Sequence, residues 1–115
     1  MKTLISRNGT SVIVKLTGFL NFETTDELRQ NMHQIETLAQ DNNRVIFDLE
    51  ELQFVGSSGI SAFIQALREF NSRASIKPRY TNVRNEFKRI ISAFDDKGSF
   101  DFWESTERAL IDFDN

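Results

Sequence analysis

Two adjacent serines between glycines are the residues of this chain best suited to chemistry. Gly56-Ser57-Ser58-Gly59 comes directly before a helical pattern. Glycines permit a tight turn, and a serine at a helix start accepts hydrogen bonds from backbone N–H groups that lack partners. A helix N-terminus also stabilises an anion, including a phosphate carried on a serine. Two interpretations therefore stay open for Ser57 and Ser58: a structural N-cap or a modified serine.

The same segment does not match the serine or phosphate motifs of enzymes. A nucleophile elbow requires Gly-x-Ser-x-Gly, and the glycines here are one position too close. A Walker phosphate loop requires Lys and then Ser or Thr after the last glycine, whereas Ile60 and Ser61 follow Gly59. His33 is the only histidine, and it lies off the apolar stripe of its predicted helix. We therefore expect no enzyme activity, no metal site and no cofactor.

The residues that flank the serines predict the elements that position them. A nearly continuous apolar run precedes them and is typical of a central strand buried on both faces: Val45, Ile46, Phe47 and Leu49. After them, apolar residues recur every three or four positions, which predicts an amphipathic helix: Ile60, Phe63, Ile64, Leu67 and Phe70. The serines are therefore expected at a polar tip between a central strand and a helix that packs on the sheet.

The rest of the chain predicts an alternation of helices and strands. Asn8-Gly9 suits a two-residue hairpin turn between strands at 3–7 and 10–16, with Ile5 opposite Val12. Thr24 and Glu27 predict a capping box at the start of the first helix. Later segments predict a weak strand at 78–83, a helix at 83–94, a turn at 95–98, a short strand at 100–103 and a last helix that begins near residue 105.

Length and composition bound the fold and the class of partner. The 115 residues form one predicted domain, 1–115, of the α/β class, with a mixed sheet of about four to five strands and about four helices. A net charge of −3 without a Lys/Arg cluster gives no reason to expect nucleic acid. The sequence has no cysteine and no apolar run long enough to span a bilayer. We expect a cytoplasmic protein without direct membrane insertion.

With these motifs in place, the chain resembles a STAS domain, the family of bacterial anti-sigma factor antagonists and of the cytoplasmic domains of sulfate transporters. The resemblance covers nearly the whole length and implies a STAS-like fold. It rests on motifs in a characteristic order: Gly18-x-Leu20-Asn21, Phe47-Asp48-Leu49, Phe54-Val55-Gly56-Ser57-Ser58-Gly59-Ile60, Asn82-Val83 and Ser105-Thr106-Glu107-Arg108-Ala109-Leu110.

The resemblance implies a partner switch. The unphosphorylated domain is expected to bind an anti-sigma factor that is also a serine kinase, which frees a sigma factor. Phosphorylation at Ser57, with Ser58 as the second choice, is expected to release the domain, and a serine phosphatase resets it. The implied partner surface comprises Leu20, Asn21, Phe22, Gly56, Ser57, Ser58, Gly59 and Ser61.

Two positions depart from the family pattern and leave a second function open. The family commonly has Asp where this chain has Asn21 and Gly56. The alternative function is a structural subunit that is not phosphorylated, in a lipid-transport complex or a signalling scaffold. A third hypothesis, nucleotide binding or hydrolysis, has only the helix N-terminus in its favour.

Overall fold

The computed structural model describes residues 1–39, 44–54, 57–94 and 100–114. Its elements, in chain order, are β1 (Lys2–Asn8), β2 (Ser11–Leu20), a short 3-10 helix (Phe22–Thr24), α1 (Thr25–Leu38), β3 (Arg44–Asp48), β4 (Leu52–Phe54), α2 (Ser57–Arg73), β5 (Arg79–Thr81), α3 (Asn85–Phe94), β6 (Asp101–Trp103) and α4 (Thr106–Asp114). The predicted α/β fold is confirmed. The predicted turn at 95–98 lies outside the described residues.

The strands form one mixed sheet in the order β1-β2-β3-β5-β6. β1 is antiparallel to β2, whereas β3, β5 and β6 are parallel to their neighbours. β3 lies between β2 and β5, which confirms the predicted central strand. β4 was not predicted from the sequence, because its three residues are too few to show a period; it pairs with the last residues of β2.

The two faces of the sheet carry different helices. α1, α2 and α3 cover one face and bury the main core with residues of β2, β3 and β5: Val12, Val14, Leu16, Leu28, Ile35, Phe47, Phe63, Leu67, Tyr80 and Ile91. α4 covers part of the other face, where Ala109 and Phe113 pack on Ile46. The alternation of side chains along β3 explains this division, since Phe47 and Ile46 point to opposite faces.

Arg79 holds α4 against the sheet. Its largely buried guanidinium lies 4.3 Å from the ring centroid of Trp103 and 3.7 Å from that of Phe113. It donates to the carbonyl oxygen of Ala109 at 2.8 Å and to the Asp112 carboxylate at 2.6 Å. The helix dipole also favours a cation near a helix C-terminus. Arg79 therefore stabilises the position of α4 through its ring contacts, its hydrogen bonds and its charge.

The hairpin register differs from the prediction. The turn is Gly9-Thr10, Asn8 pairs with Ser11, and Ile5 lies opposite Val14 and not Val12. Gly9 has φ +61° as the first central residue of the turn, a position where a II′ hairpin takes glycine. The predicted register is therefore wrong by two residues. A shift of two leaves the same side chains on the core face, because the side-chain period of a strand is two.

Candidate functional site

The start of α2 packs against the end of β2. β2 ends at Leu20, which pairs with the last residue of β4, and α2 begins at Ser57. A Cβ atom built on Gly59 would lie 3.0 Å from the carbonyl oxygen of Leu20 and 3.0 Å from the Cα of Asn21. Only glycine permits so close an approach of two backbones without displacement. We call this junction, formed by residues 20–24 and by the first turn of α2, the tip.

Reciprocal hydrogen bonds hold the loop side of the tip. The side-chain oxygen of Asn21 accepts from the backbone N–H of Thr24 at 3.1 Å. Thr24 Oγ1 in turn accepts from the backbone N–H of Asn21 at 3.0 Å. This is the pattern of a capping box, in which two donors without helical partners are satisfied together.

The capping box that the sequence predicts at Thr24 and Glu27 is therefore wrong. Thr24 makes no side-chain cap hydrogen bond to α1. Its hydroxyl is used three residues earlier, because Asn21 already caps the 3-10 helix that precedes α1. Spacing alone cannot choose between two adjacent capping candidates, since both have suitable side chains.

The predicted site residues differ in their burial and in their place in the fold. Gly59 is buried, Asn21 is half-buried, and Ser61 is exposed on α2. Phe22 begins the 3-10 helix, and Ser57 and Ser58 are the first two residues of α2. Gly56 lies outside the described residues. The structure thus brings the backbone of 20–21 and the first turn of α2 together.

Leu20 does not present its side chain at the tip. It is fully buried in the main core, so it supports the loop from beneath. The neighbouring Phe19 is 57% exposed and was not among the predicted site residues. The signal was available, because strict alternation from Val12, Val14 and Leu16 turns position 20 inward and position 19 outward.

A second group of polar side chains joins the C-terminal ends of β3 and β5. Asp48 Oδ1 accepts from the backbone N–H of Glu50 and from the Asn82 side chain, both at 3.1 Å. Asn82 adopts φ +56°, a conformation that Asn tolerates better than most residues. Thr81 Oγ1 lies 2.9 Å from Thr106 Oγ1, which connects β5 to the start of α4. These bonds give Asp48 a structural role between β3 and β5.

Among the described residues, the ionisable side chain with a shifted pKa is Tyr80, in the core. Burial raises the pKa of the Tyr80 phenol, and its hydrogen bond to Asn71, 2.6 Å long, opposes that shift. The ring stacks on Phe47 at a centroid distance of 5.2 Å. Among the described residues, no three His, Cys, Asp or Glu side chains are grouped so that they could hold a metal ion. In the same ranges, none of the helices is both long and apolar enough to cross a membrane.

Comparison with known proteins identifies the family. The model of the STAS domain matches residues 2–109, so the chain belongs to the STAS domain family. No curated protein matches the sequence. Among solved structures, an anti-sigma factor antagonist from Mycobacterium paratuberculosis is similar, with 16% identity, a TM-score of 0.75, and 99% of this chain and 94% of that chain covered.

Two further structures show how widely the fold occurs. The phosphorylated form of the Bacillus cell fate determinant SpoIIAA has 18% identity and a TM-score of 0.65, and the match covers 99% of this chain and all (100%) of that chain. A chain of the Acinetobacter MlaFEDB complex has 16% identity and a TM-score of 0.55, with 87% and 100% covered. At these identities the similarity establishes the fold, which occurs both in anti-sigma factor antagonists and in a larger complex.

Proposed function

We propose that this protein is an anti-sigma factor antagonist that acts as a phosphorylation-controlled partner switch. In its unphosphorylated form it binds an anti-sigma factor that is also a serine kinase, and a sigma factor is freed. Phosphorylation at Ser57 releases it, and a serine phosphatase restores the binding form. The role is that of a cytoplasmic binding module without catalysis of its own. Membership of the STAS family and the likeness to anti-sigma factor antagonists support the class.

The observation that carries the proposal is the contact of Gly59 with Leu20 and Asn21. Because α2 begins at Ser57, two residues before this contact, a serine in its first turn lies next to the loop that the reciprocal Asn21–Thr24 bonds hold in place. A partner that binds the loop must therefore also cover the start of α2. A change in the charge or size of that serine therefore alters the same interface.

The first turn of α2 is suited to carry a phosphate. It contains no acidic residue, and the helix is 17 residues long, so its N-terminal N–H groups and dipole face an added anion without a like charge on that turn. A phosphate adds a charge of about −1.5 to −2 at neutral pH. It is accommodated in the free protein, but a closely fitted partner would have to desolvate it. Phosphorylation therefore weakens the complex more than it affects the free protein, and the partner is released.

The exposed residues around the start of α2 define the contact surface. Phe19 presents an apolar ring on the β2 side, and Ser61 is exposed on α2 one turn after Ser57. Aromatic side chains are enriched at the centre of protein interfaces, because they bury a large area at low entropic cost. We therefore add Phe19 to the proposed partner surface and assign Leu20 a supporting role.

The neutral Asn21 is compatible with this function. Its side-chain oxygen makes the capping bond to Thr24 that a carboxylate at this position would also make. The loop geometry therefore does not need the acid that the family commonly carries. What changes is the charge offered to the partner, so the cognate anti-sigma factor should not depend on a carboxylate at position 21.

The test combines phosphate mapping with partner capture. Protein isolated from the native cell is examined by intact mass and peptide mapping for phosphate on Ser57 or Ser58. Wild type, Ser57→Asp and the matched control Ser72→Asp are then used to capture partners from a native lysate. Ser72 is exposed at the other end of α2 and adds the same charge to the same helix.

The expected result is capture of a serine kinase of the anti-sigma type by wild type and by Ser72→Asp, and its loss with Ser57→Asp. Wild type and Ser57→Asp should unfold at nearly the same urea concentration, because Asp is an accepted residue at a helix start. Ser72→Asp should unfold at a slightly lower concentration, because a carboxylate in the last turn opposes the helix dipole and the Ser72 hydroxyl no longer donates to the Glu69 carbonyl oxygen. Capture of the same transport or scaffold proteins by every variant would favour a structural subunit. Gross unfolding of Ser57→Asp would contradict a surface switch at the tip.

A further inference from the structure

Within the part of the chain that the structure describes, no strand pairs with the outer edge of β1. β1 ends the sheet, and among the described residues β2 is the element against which it packs. It pairs with β2 over seven consecutive residues without a bulge. Leu4 and Ile5 are 56% and 37% exposed, although they point to opposite faces. The usual protections of an edge strand are a bulge, a proline, charged side chains or a covering segment. β1 has no bulge and no proline, and its charged residues, Lys2 and Arg7, lie near its two ends and leave the central residues uncharged.

We propose that this edge is a self-association surface, in which β1 pairs antiparallel with β1 of a second copy around a two-fold axis at Ile5. The proposal goes beyond the function proposed above and does not depend on it. An isologous contact of this kind uses the same residues on both copies.

The hairpin turn determines which backbone groups are free to pair. A two-residue turn closes on a hydrogen-bonded pair, here Asn8 and Ser11. Bonded and non-bonded pairs alternate along an antiparallel ladder, so β1 bonds to β2 through Asn8, Ser6, Leu4 and Lys2. The remaining residues of β1 direct both their N–H and their C=O to the open edge: Thr3, Ile5 and Arg7.

Only one self-pairing register uses the whole strand. An axis at Ile5 places Ile5 opposite its own copy and Thr3 opposite Arg7, so that all the outward backbone groups pair. An axis at Thr3 or Arg7 would pair only the ends of the strands. The register also places Lys2 opposite Asn8, so no two like charges face each other directly.

This arrangement leaves both tips accessible. β2 runs towards the tip, and β1 runs antiparallel to it. A two-fold axis perpendicular to β1 therefore directs the tips of the two copies to opposite ends of the joined sheet. Each copy can bind a partner independently.

The first experiment measures backbone amide exchange by NMR on the wild-type chain at low and at high protein concentration. Leu4 and Ser6 should be protected at both, because they bond within the hairpin. Thr3, Ile5 and Arg7 should exchange at least about tenfold more slowly at high concentration, when their N–H groups become paired. At the high protein concentration, sedimentation equilibrium should show the mass of two chains.

Two variants separate this edge from other surfaces. Ile5→Lys places two ammonium groups opposite each other at the axis and should abolish both the dimer and the concentration dependence. Ile111→Lys is the matched control, because Ile111 is 59% exposed on α4, away from the β1 edge. The Ile111→Lys variant should still form the dimer.

A monomer at every concentration would overturn the proposal. Protection without the alternating pattern, or a dimer that survives Ile5→Lys, would overturn it as well, because each outcome would place any association elsewhere. If Ile5→Lys does not fold, the wild-type exchange pattern decides by itself. Loss of this dimer would not affect partner capture at the tip, so the two proposals can fail separately.

Discussion

Replacement of Asn21 should show how firmly its side chain holds the tip. Asn21→Ala removes the side-chain bond to the Thr24 N–H and leaves the bond from the Asn21 N–H to Thr24 Oγ1. The Thr24 N–H keeps a second acceptor, the Asn21 carbonyl oxygen at 3.2 Å. Loss of an N-cap typically costs about 0.5–2 kcal/mol, and because the donor is not left bare we expect about 1 kcal/mol.

Asn21→Asp should leave the cap intact and add a charge. A carboxylate at a helix N-terminus contributes about 0.3–1 kcal/mol through the dipole. Glu23, Asp26 and Glu27 already crowd the first turns with negative charge, so we expect a gain near the lower limit. The dipole lowers the pKa of the new carboxyl in the folded state. The gain is therefore present at neutral pH and is lost as pH falls through about 4, the ordinary value for Asp.

The assay is urea unfolding of the wild type and both variants, followed by circular dichroism, at neutral and at acidic pH. Equal slopes with shifted midpoints would identify changes in stability alone. An Asn21→Ala variant as stable as wild type would refute the assigned role of the side-chain bond. An Asn21→Asp variant as unstable as Asn21→Ala would show that the side-chain oxygen is not what matters.

Three further substitutions test other contacts. Gly59→Ala should lower the free energy of unfolding by about 1 kcal/mol, although Ala is the better helix former, because its Cβ would meet the Leu20 carbonyl oxygen at 3.0 Å; unchanged stability in urea would show that the loop yields. Arg79→Lys should lower the free energy of unfolding by about 1–3 kcal/mol and speed amide exchange in α4, since an ammonium cannot replace the planar guanidinium on the Phe113 ring. Amide exchange in α4 at the wild-type rate would contradict that role of Arg79. Burial raises the pKa of Tyr80, so wild-type stability should be complete below about pH 10 and fall above it as the unfolded state loses its proton first. Urea titrations of Tyr80→Phe should therefore show a smaller loss of stability at alkaline pH than those of wild type. The same dependence of stability on pH in both proteins would contradict this role of Tyr80.

Local patterns predicted the elements because they depend on neighbours in sequence. The period of three to four from Ile60 to Phe70 identified α2, and those side chains do line the core. The apolar run at 45–47 identified the central strand. Details that depend on competition between equivalent candidates were missed, such as the turn position at Gly9 and the choice of Asn21 over Thr24 as the N-cap.

The site divides in the same way between sequence and tertiary structure. The sequence by itself determined that a serine pair begins a helix, because Gly-Ser-Ser-Gly and the change of period are local features. It did not show that β4 stands between the central strand and this helix. Only the tertiary structure decided that Gly59 packs on Leu20 and Asn21, and that β1 is the end strand of the sheet that the described residues form. These features depend on contacts between residues that are distant along the chain and on the position of a strand in the sheet. They depend on how the layers pack, which no local pattern encodes.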